Sequence, residues 1–252
     1  MDAWEIKSND NRTADSLYTF IIFCEDEVSE IDYFRTFETE FIKINAIGKQ
    51  KSKSINVNRA IVHCLKEGFI KKDGTPNFGG TGIQVWCVFD RDGTVPQDTK
   101  TDGDYDFDSS IRWAQNNGLN VAWSNDAFEL WILLHFEDVI FDSEEVKHRS
   151  YYYQRLSNIF NSIETQNPDL LRIRAFPMPI EYKAQLKSKK LFRKIVLPHI
   201  LQKTDDAIER AKTLELNHQS DPPKSYSEIA PCTLIYRLVE ELIRLGKGTE
   251  VA

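Results

Sequence analysis

An apolar run of strand length that ends abruptly in acid constrains this chain most. Ile83-Gln84-Val85-Trp86-Cys87-Val88-Phe89 passes straight into Asp90-Arg91-Asp92-Gly93. Nearly continuous hydrophobicity over so short a span suits a strand buried on both faces, the kind that builds parallel sheets. In open α/β sheets, ligands bind just beyond the carboxyl ends of the strands. Asp90 and Asp92 are therefore expected at a sheet edge, on a tight turn that Gly93 permits, with both side chains able to point the same way. Two carboxylates held close together repel, and a divalent cation relieves the repulsion. Mg²⁺ takes oxygen ligands and is commonly held by one or two carboxylates plus substrate phosphates. The plainer reading is a turn, because Asp and Gly favour turns for backbone reasons alone.

Two other segments repeat the pattern. Leu17 to Cys24 reads as a buried strand that runs into Glu25-Asp26-Glu27-Val28-Ser29-Glu30. Glu25 is placed like Asp90, as the first acid past a buried strand, and is a candidate ligand; Glu30 is a supporting candidate. Ile31, Phe34, Phe37, Phe41 and Ile42 follow at helical spacing from about Ser29. Ser29 with Asp32 resembles a capping box, and Glu30 and Asp32 also suit a first helical turn on dipole grounds. In the third segment, Leu119 to Ser124 forms a strand, Asn125-Asp126 interrupts it, and Ala127 to Phe136 forms a very apolar helix whose sole charge is Glu129. The helix dipole alone favours a carboxylate there, but a Glu among Phe128, Leu130 and Trp131 is expected to be part-buried and to need a partner or a metal. Asn125 either orients a ligand or phosphate or simply ends the strand. His63 and His135 read as structural.

The rest of the chain supplies support. Residues 43–54 look like a loop, Asn56 to Leu65 like a helix, and 71–82 like a loop without a phosphate-binding fingerprint. Acids at 98, 102, 104, 106 and 108 partly match a calcium loop, but the glycine is missing and Gln115 stands where the bidentate Glu belongs. A solvated acidic loop with Asp108 capping a helix over Ser109–Asn117 is the favoured reading. Lys183, Lys187, Lys189, Lys190, Arg193 and Lys194 form a stretch with no acid. On a helix they make either a phosphate-binding surface or a solubilising face. Tyr151-Tyr152-Tyr153 could stack bases or pack a satellite core. Helices are also expected over Thr204–Thr213 and Thr233–Leu245.

The net charge of −7 over 252 residues argues against a general nucleic-acid coat protein, but not against a nuclease with a local basic surface. Cys24, Cys64, Cys87 and Cys232 fit no zinc spacing and are expected as reduced thiols of a cytoplasmic protein. No apolar segment reaches membrane-spanning length, and no signal-peptide core is visible, so no membrane role is expected.

The three segments together resemble the RloB family. Its first block, Glu-Gly-x-x-Thr-Glu-x-x-Tyr-Phe, is met by Glu25 to Phe34, with Asp26 in place of the glycine. Its second, Val-Phe-Asp-x-Asp, is Val88 to Asp92. Its third, Ser-Asn-Pro-x-Phe-Glu-Leu-Trp-Leu-Leu-Leu-His-Phe, is Ser124 to Phe136, with Asp126 in place of the proline. Ala230 to Val239 is similar to the closing Asn-Pro-Ser-Thr block. The resemblance implies an α/β, TOPRIM-like (Rossmann-like) fold: a mostly parallel sheet flanked by helices, with a C-terminal helical extension. The core would span 1–140. The extension, 141–252, would pack on it and return to it at the last helix. It also implies a metal set of Glu25, Asp90, Asp92 and Glu129 holding Mg²⁺ or Mn²⁺, and a nuclease cutting DNA or RNA, tRNA among the candidates. Such nucleases act as effectors of bacterial antiviral defence, beside restriction-modification or abortive-infection genes and often with an ABC-type ATPase partner; homo-oligomers are compatible. The alternatives are a non-enzymatic, metal-stabilised scaffold docking the ATPase, and, more weakly, nucleotidyl transfer.

Overall fold

A computed structural model describes residues 18–50, 52–93, 101–218 and 225–248. The expected lead-in over 1–16, Leu17, the acid at 98 and the Pro222-Pro223 loop lie outside these. The elements run β1 (Tyr18–Cys24), α1 (Ser29–Arg35), β2 (Ile42–Ile47), α2 (Lys53–Glu67), β3 (Ile83–Asp90), α3 (Asp102–Asn116), β4 (Asn120–Ser124), α4 (Glu129–Leu134), α5 (Arg149–Ser162) and α6 (Pro168–Arg174). Irregular helical turns and the helices Thr204–Asn217 and Ile235–Gly246 follow. The four strands form an all-parallel sheet flanked by helices, in the order β2-β1-β3-β4. This is the expected α/β, Rossmann-like class. The order reverses between β1 and β3, and in such sheets the crevice beyond that reversal is where ligands bind.

The chain divides into two compact units. The first holds residues up to Phe89, Tyr105–Trp123 and Arg237 onward, and so most of the sheet. β1 pairs with β3 from Thr19↔Ile83 to Cys24↔Val88 and with β2 from Tyr18↔Ile42 to Phe23↔Ile47. Phe20, Ile22, Phe23, Cys24, Val88 and Phe89 are fully buried or nearly so, as expected for strands covered on both faces. Phe89, Phe107 and Trp123 meet edge to face in sequence, at centroid distances of 5.9 and 5.6 Å. α2 contributes a buried amide. Asn56 Nδ2 donates to the carbonyls of both Phe23 and Val88 at 3.0 Å. One side chain thus ties β1 to β3 near their carboxyl ends.

Three local expectations change. The apolar spacing 31–42 does not continue one helix: α1 stops at Arg35, and the loop expected from 43 is the edge strand β2. Ile42, Ile44, Ala46 and Ile47 are buried there, and pairing with β1 outweighs the polar look of Lys43 and Asn45. α3 begins at Asp102, before the expected Asp108 cap. Asp104 accepts from the Thr101 N–H at 2.9 Å while Thr101 Oγ1 accepts from the Asp104 N–H at 3.3 Å, a reciprocal cap that pulls the acidic stretch into the helix. The basic stretch Lys183–Lys194 is not one helix. Two π-type turns, Tyr182–Leu186 and Phe192–Val196, break it, and each carries buried side chains. The wider turns keep Tyr182, Leu186, Phe192 and Ile195 inward where an uninterrupted α-helix would rotate some of them outward.

The second unit comprises Asp90–Asp104 and Ser124–Tyr236. α4 packs against α5 and against the helix Thr204–Asn217. Leu130 to Leu134 are fully buried, so this helix is apolar all round because it is surrounded. All four cysteines are buried free thiols. Burial pushes the Cys64 thiol up to about 12. Among the described residues no helix is long and apolar enough to cross a membrane.

Candidate functional site

The second unit holds Asp90, Arg91, Asp92, Asn125, Asp126, Glu129, Arg149 and Lys187; Arg149 joins Asp92 to Asp126, Arg91 meets Asn125, and Lys187 pairs with Glu129. The scaffold comes first. Arg91 N–H donates to the Ser124 carbonyl at 3.0 Å, and Asp92 N–H to the Asp126 carbonyl at 3.2 Å. The turn after β3 is therefore stitched to the turn after β4. Both turns need a left-handed residue, and in both it is an aspartate: Asp92 has φ 55° and Asp126 φ 84°. Gly93, expected to permit the turn, does not adopt positive φ. Asp tolerates the left-handed region because its short side chain bonds locally.

Each acid then has identified partners. Asp90 Oδ2 accepts the Phe128 N–H at 3.0 Å, just ahead of α4. Asp92 Oδ1 is 2.7 Å from Arg149 Nη2 and keeps 41 % of its side chain exposed. Asp126, which is buried, accepts the Arg149 backbone N–H through Oδ2 and the guanidinium through Oδ1 at 3.1 Å; its carbonyl takes Arg149 Nη2 at 2.6 Å. Burial works against the Arg149 charge, but Asp126 and Asp92 outweigh it and hold the guanidinium protonated well above its ordinary range. Arg91 bridges Asp104 at 2.6 Å and the side-chain oxygen Oδ1 of Asn125 at 3.1 Å. Burial opposes ionisation of Asp104, yet the Arg91 and Thr101 hydrogen bonds win and keep its carboxyl below the usual value.

Glu129 is 2 % exposed and lies 2.7 Å from Lys187 Nζ, a charge contact without the angles of a hydrogen bond. Lys187 also stands 5.6 Å from the Tyr153 ring centroid, and Lys183 stands 5.4 Å from the same ring. Burial first, and Glu129 next, push the Tyr153 hydroxyl up. Lys187 thus leaves the expected basic surface to neutralise a buried carboxylate. Lys194 pairs with Asp169 at 3.5 Å, while Lys189, Lys190 and Arg193 are exposed.

Asn125 is fully buried, and its amide is turned to the chain. Nδ2 donates to the Ser227 and Ile229 carbonyls at 3.2 and 2.6 Å, and its N–H donates to Cys232 at 2.8 Å. Beside it, Ser124 Oγ meets Thr233 Oγ1 at 2.9 Å. The third sequence block and the closing block are therefore held together by buried polar contacts. His135 is buried, its Nδ1 on the Trp131 carbonyl at 2.9 Å. Burial drives its imidazole down to about 3 against those backbone bonds, so it is a neutral structural ring.

Glu25 and Glu30 belong to the first unit. Glu25 follows β1, and its N–H donates to Val88 at 3.2 Å. Ser29 does not cap α1. Asp26 accepts the N–H groups of Glu27, Val28 and Ser29, at 2.6, 3.2 and 3.1 Å. Glu30, buried, accepts the Asp26 N–H at 3.2 Å in return. Asp26, which stands where the related block has glycine, thus closes the turn ahead of α1 on backbone donors, and Glu30 is its reciprocal partner.

The donor chemistry of Asp90 and Asp92 suits a hard divalent ion, which needs only one or two carboxylates when a phosphate completes its shell. A protein-only cage is another matter: among the described residues no group of three or more His, Cys, Asp or Glu side chains is placed to hold an ion. Sequence reasoning missed Arg149 and Asp126. One signal was present. An aspartate where the related block carries proline marks a changed turn.

A family model described as RloB-like protein matches residues 20–242. Comparison with curated proteins and with solved structures found no match.

Proposed function

Because the chain belongs to the RloB-like family, we propose that it is a metal-dependent nuclease that hydrolyses phosphodiesters of DNA or RNA, with tRNA among the candidate substrates. The observation that carries this reading is the interleaving of acids and cations in one unit, Asp90 and Asp92 beside Arg149, and Glu129 beside Lys187. Carboxylates alone would suit a structural ion and cations alone an anion, whereas the two together suit an ion bound with a phosphate. Asp90 and Asp92 would hold Mg²⁺ or Mn²⁺, and the ion supplies polarisation of the phosphate and activation of water. The chain's own part is to bind and orient. Asp90 also fixes the start of α4 through the Phe128 N–H, so the acid and the helix bearing Glu129 are set together. Lys187 compensates Glu129 and lies beside the Tyr153 ring, a pairing that suits a phosphate next to a stacked base. Action as an effector of antiviral defence with an ABC-type ATPase partner is part of the same proposal.

A non-enzymatic scaffold docking that ATPase is favoured by one observation, that Asp92, Asp126 and Glu129 are all in ion pairs within the chain. The test is cleavage of plasmid DNA, single-stranded DNA and total tRNA with Mg²⁺, Mn²⁺ or EDTA, with and without the ATPase. Metal-dependent cutting by wild type that a folded Asp90→Asn variant lacks supports the nuclease. No cutting on any substrate, even with the ATPase, favours the scaffold. Glu25→Gln in the same assay tests whether Glu25 joins the set.

A further inference from the structure

Arg149 binds both turns of the candidate site. It stands at the first position of α5, where the helix dipole disfavours a cation. Its backbone N–H and its guanidinium both bind Asp126, and the same Nη2 reaches Asp92 at 2.7 Å. One side chain therefore bridges the two left-handed aspartates of the stitched turns. Its guanidinium is not sealed: a third of the Arg149 side chain and 41 % of the Asp92 side chain are exposed. An exposed charge pair of this kind exchanges partners at little cost, while the buried Asp126 contact keeps the arginine on station.

We propose that Arg149 is a phosphate-binding residue held in reserve: its guanidinium is a counter-ion of Asp92 in the ligand-free chain and passes to a phosphodiester when one binds, giving up its Asp92 oxygen to a divalent cation. This rests on the nuclease reading for the identity of the ion, and it adds an order and a coupling to that reading. Anion and cation then bind synergistically, because the phosphate removes the charge that competes with the metal. Arginine suits the exchange, since its planar fork matches phosphate as well as carboxylate. By linkage the coupling is reciprocal, so bound metal tightens phosphate binding by the same factor.

The test is Mn²⁺ binding by the full chain, read from free Mn²⁺ by electron paramagnetic resonance. It is run alone, with a thymidine dinucleotide, and with the uncharged methylphosphonate form of that dinucleotide. Wild type is expected to bind Mn²⁺ several-fold tighter with the phosphodiester and unchanged with the methylphosphonate. Arg149→Gln is expected to bind Mn²⁺ up to about fivefold tighter on its own, the scale of one exposed ion pair, and to lose the tightening. Should Arg149→Gln not fold, Arg149→Lys serves. A point charge cannot bridge both aspartates, so Mn²⁺ affinity rises part of the way. Equal Mn²⁺ affinity in wild type and a folded variant overturns the reserve role and leaves the metal reading standing. No Mn²⁺ binding in either overturns both.

Discussion

Two acidic turns in this chain look alike in sequence and differ in how their charges are satisfied. After β1, Asp26 takes three backbone N–H groups and Glu30 takes the Asp26 N–H. Gly48 presses against this turn so closely that a Cβ there would meet the Asp26 carbonyl at 2.7 Å. Beyond β3 and β4, the acids take side-chain cations as well as backbone donors, Asp92 and Asp126 from Arg149, and Asp104 from Arg91. Backbone donors cannot leave, so the first turn is a closed lead-in to α1. Side-chain cations can be exchanged for a ligand, so the second turn is the one equipped to bind.

That contrast breaks first at Asp90. Asp90→Asn keeps an acceptor for the Phe128 N–H but removes the charge, and cleavage should fall by roughly 10²–10³-fold or more, with the circular dichroism spectrum unchanged. A comparable fall for a folded Asp26→Ala would erase the distinction between the turns.

Acid should expose the buried ring of the second unit. The folded His135 imidazole sits at about 3, below its unfolded value of about 6.5, so the unfolded chain takes up the proton first. The stability this histidine supplies is complete above about pH 6.5. It is lost as pH falls toward 3, at up to about 1.4 kcal/mol per pH unit. Urea titrations from pH 7 to 4 should show that slope, and His135→Gln should flatten it. Asp104, held below its usual value, adds a loss confined to more acid solution, as pH falls below about 4.

Smaller effects sharpen the comparison. Lys187→Met leaves the buried Glu129 carboxylate without its ammonium and should cost ~1–3 kcal/mol in chemical unfolding. The double variant with Glu129→Gln should recover part of it if the pair acts as a pair. Asp26→Ala removes the acceptor of three backbone N–H groups, should cost about 0.5–2 kcal/mol by analogy with a lost cap, and should leave Mn²⁺ binding as it was. A change in Mn²⁺ affinity there would give the first turn a ligand role that its backbone bonds do not suggest.

The strands that carry the candidate site were legible because strands buried on both faces must be apolar, and the acid that ends each run marks where burial stops. β1, β3 and β4, the apolar helix α4 and the position of Asp90 could all be read this way. β2 could not, because an edge strand needs only one inward face and takes its identity from pairing with β1. The break in the basic stretch was likewise invisible, since Lys183 to Lys194 has the composition of a helix and only the burial of Tyr182, Leu186 and Phe192 forces the wider turns.

By itself, then, the sequence determined the parallel α/β class, the acids at the strand ends and the family. Those follow from local pattern, which is carried by neighbours in the chain. Tertiary structure alone decided which acid meets which cation. Arg149 lies far along the chain from Asp92, Lys187 from Glu129 and Cys232 from Asn125, and nothing in their spacing brings them together. Only the packed second unit does, where a buried charge or amide left without a partner would cost more than the fold could spare.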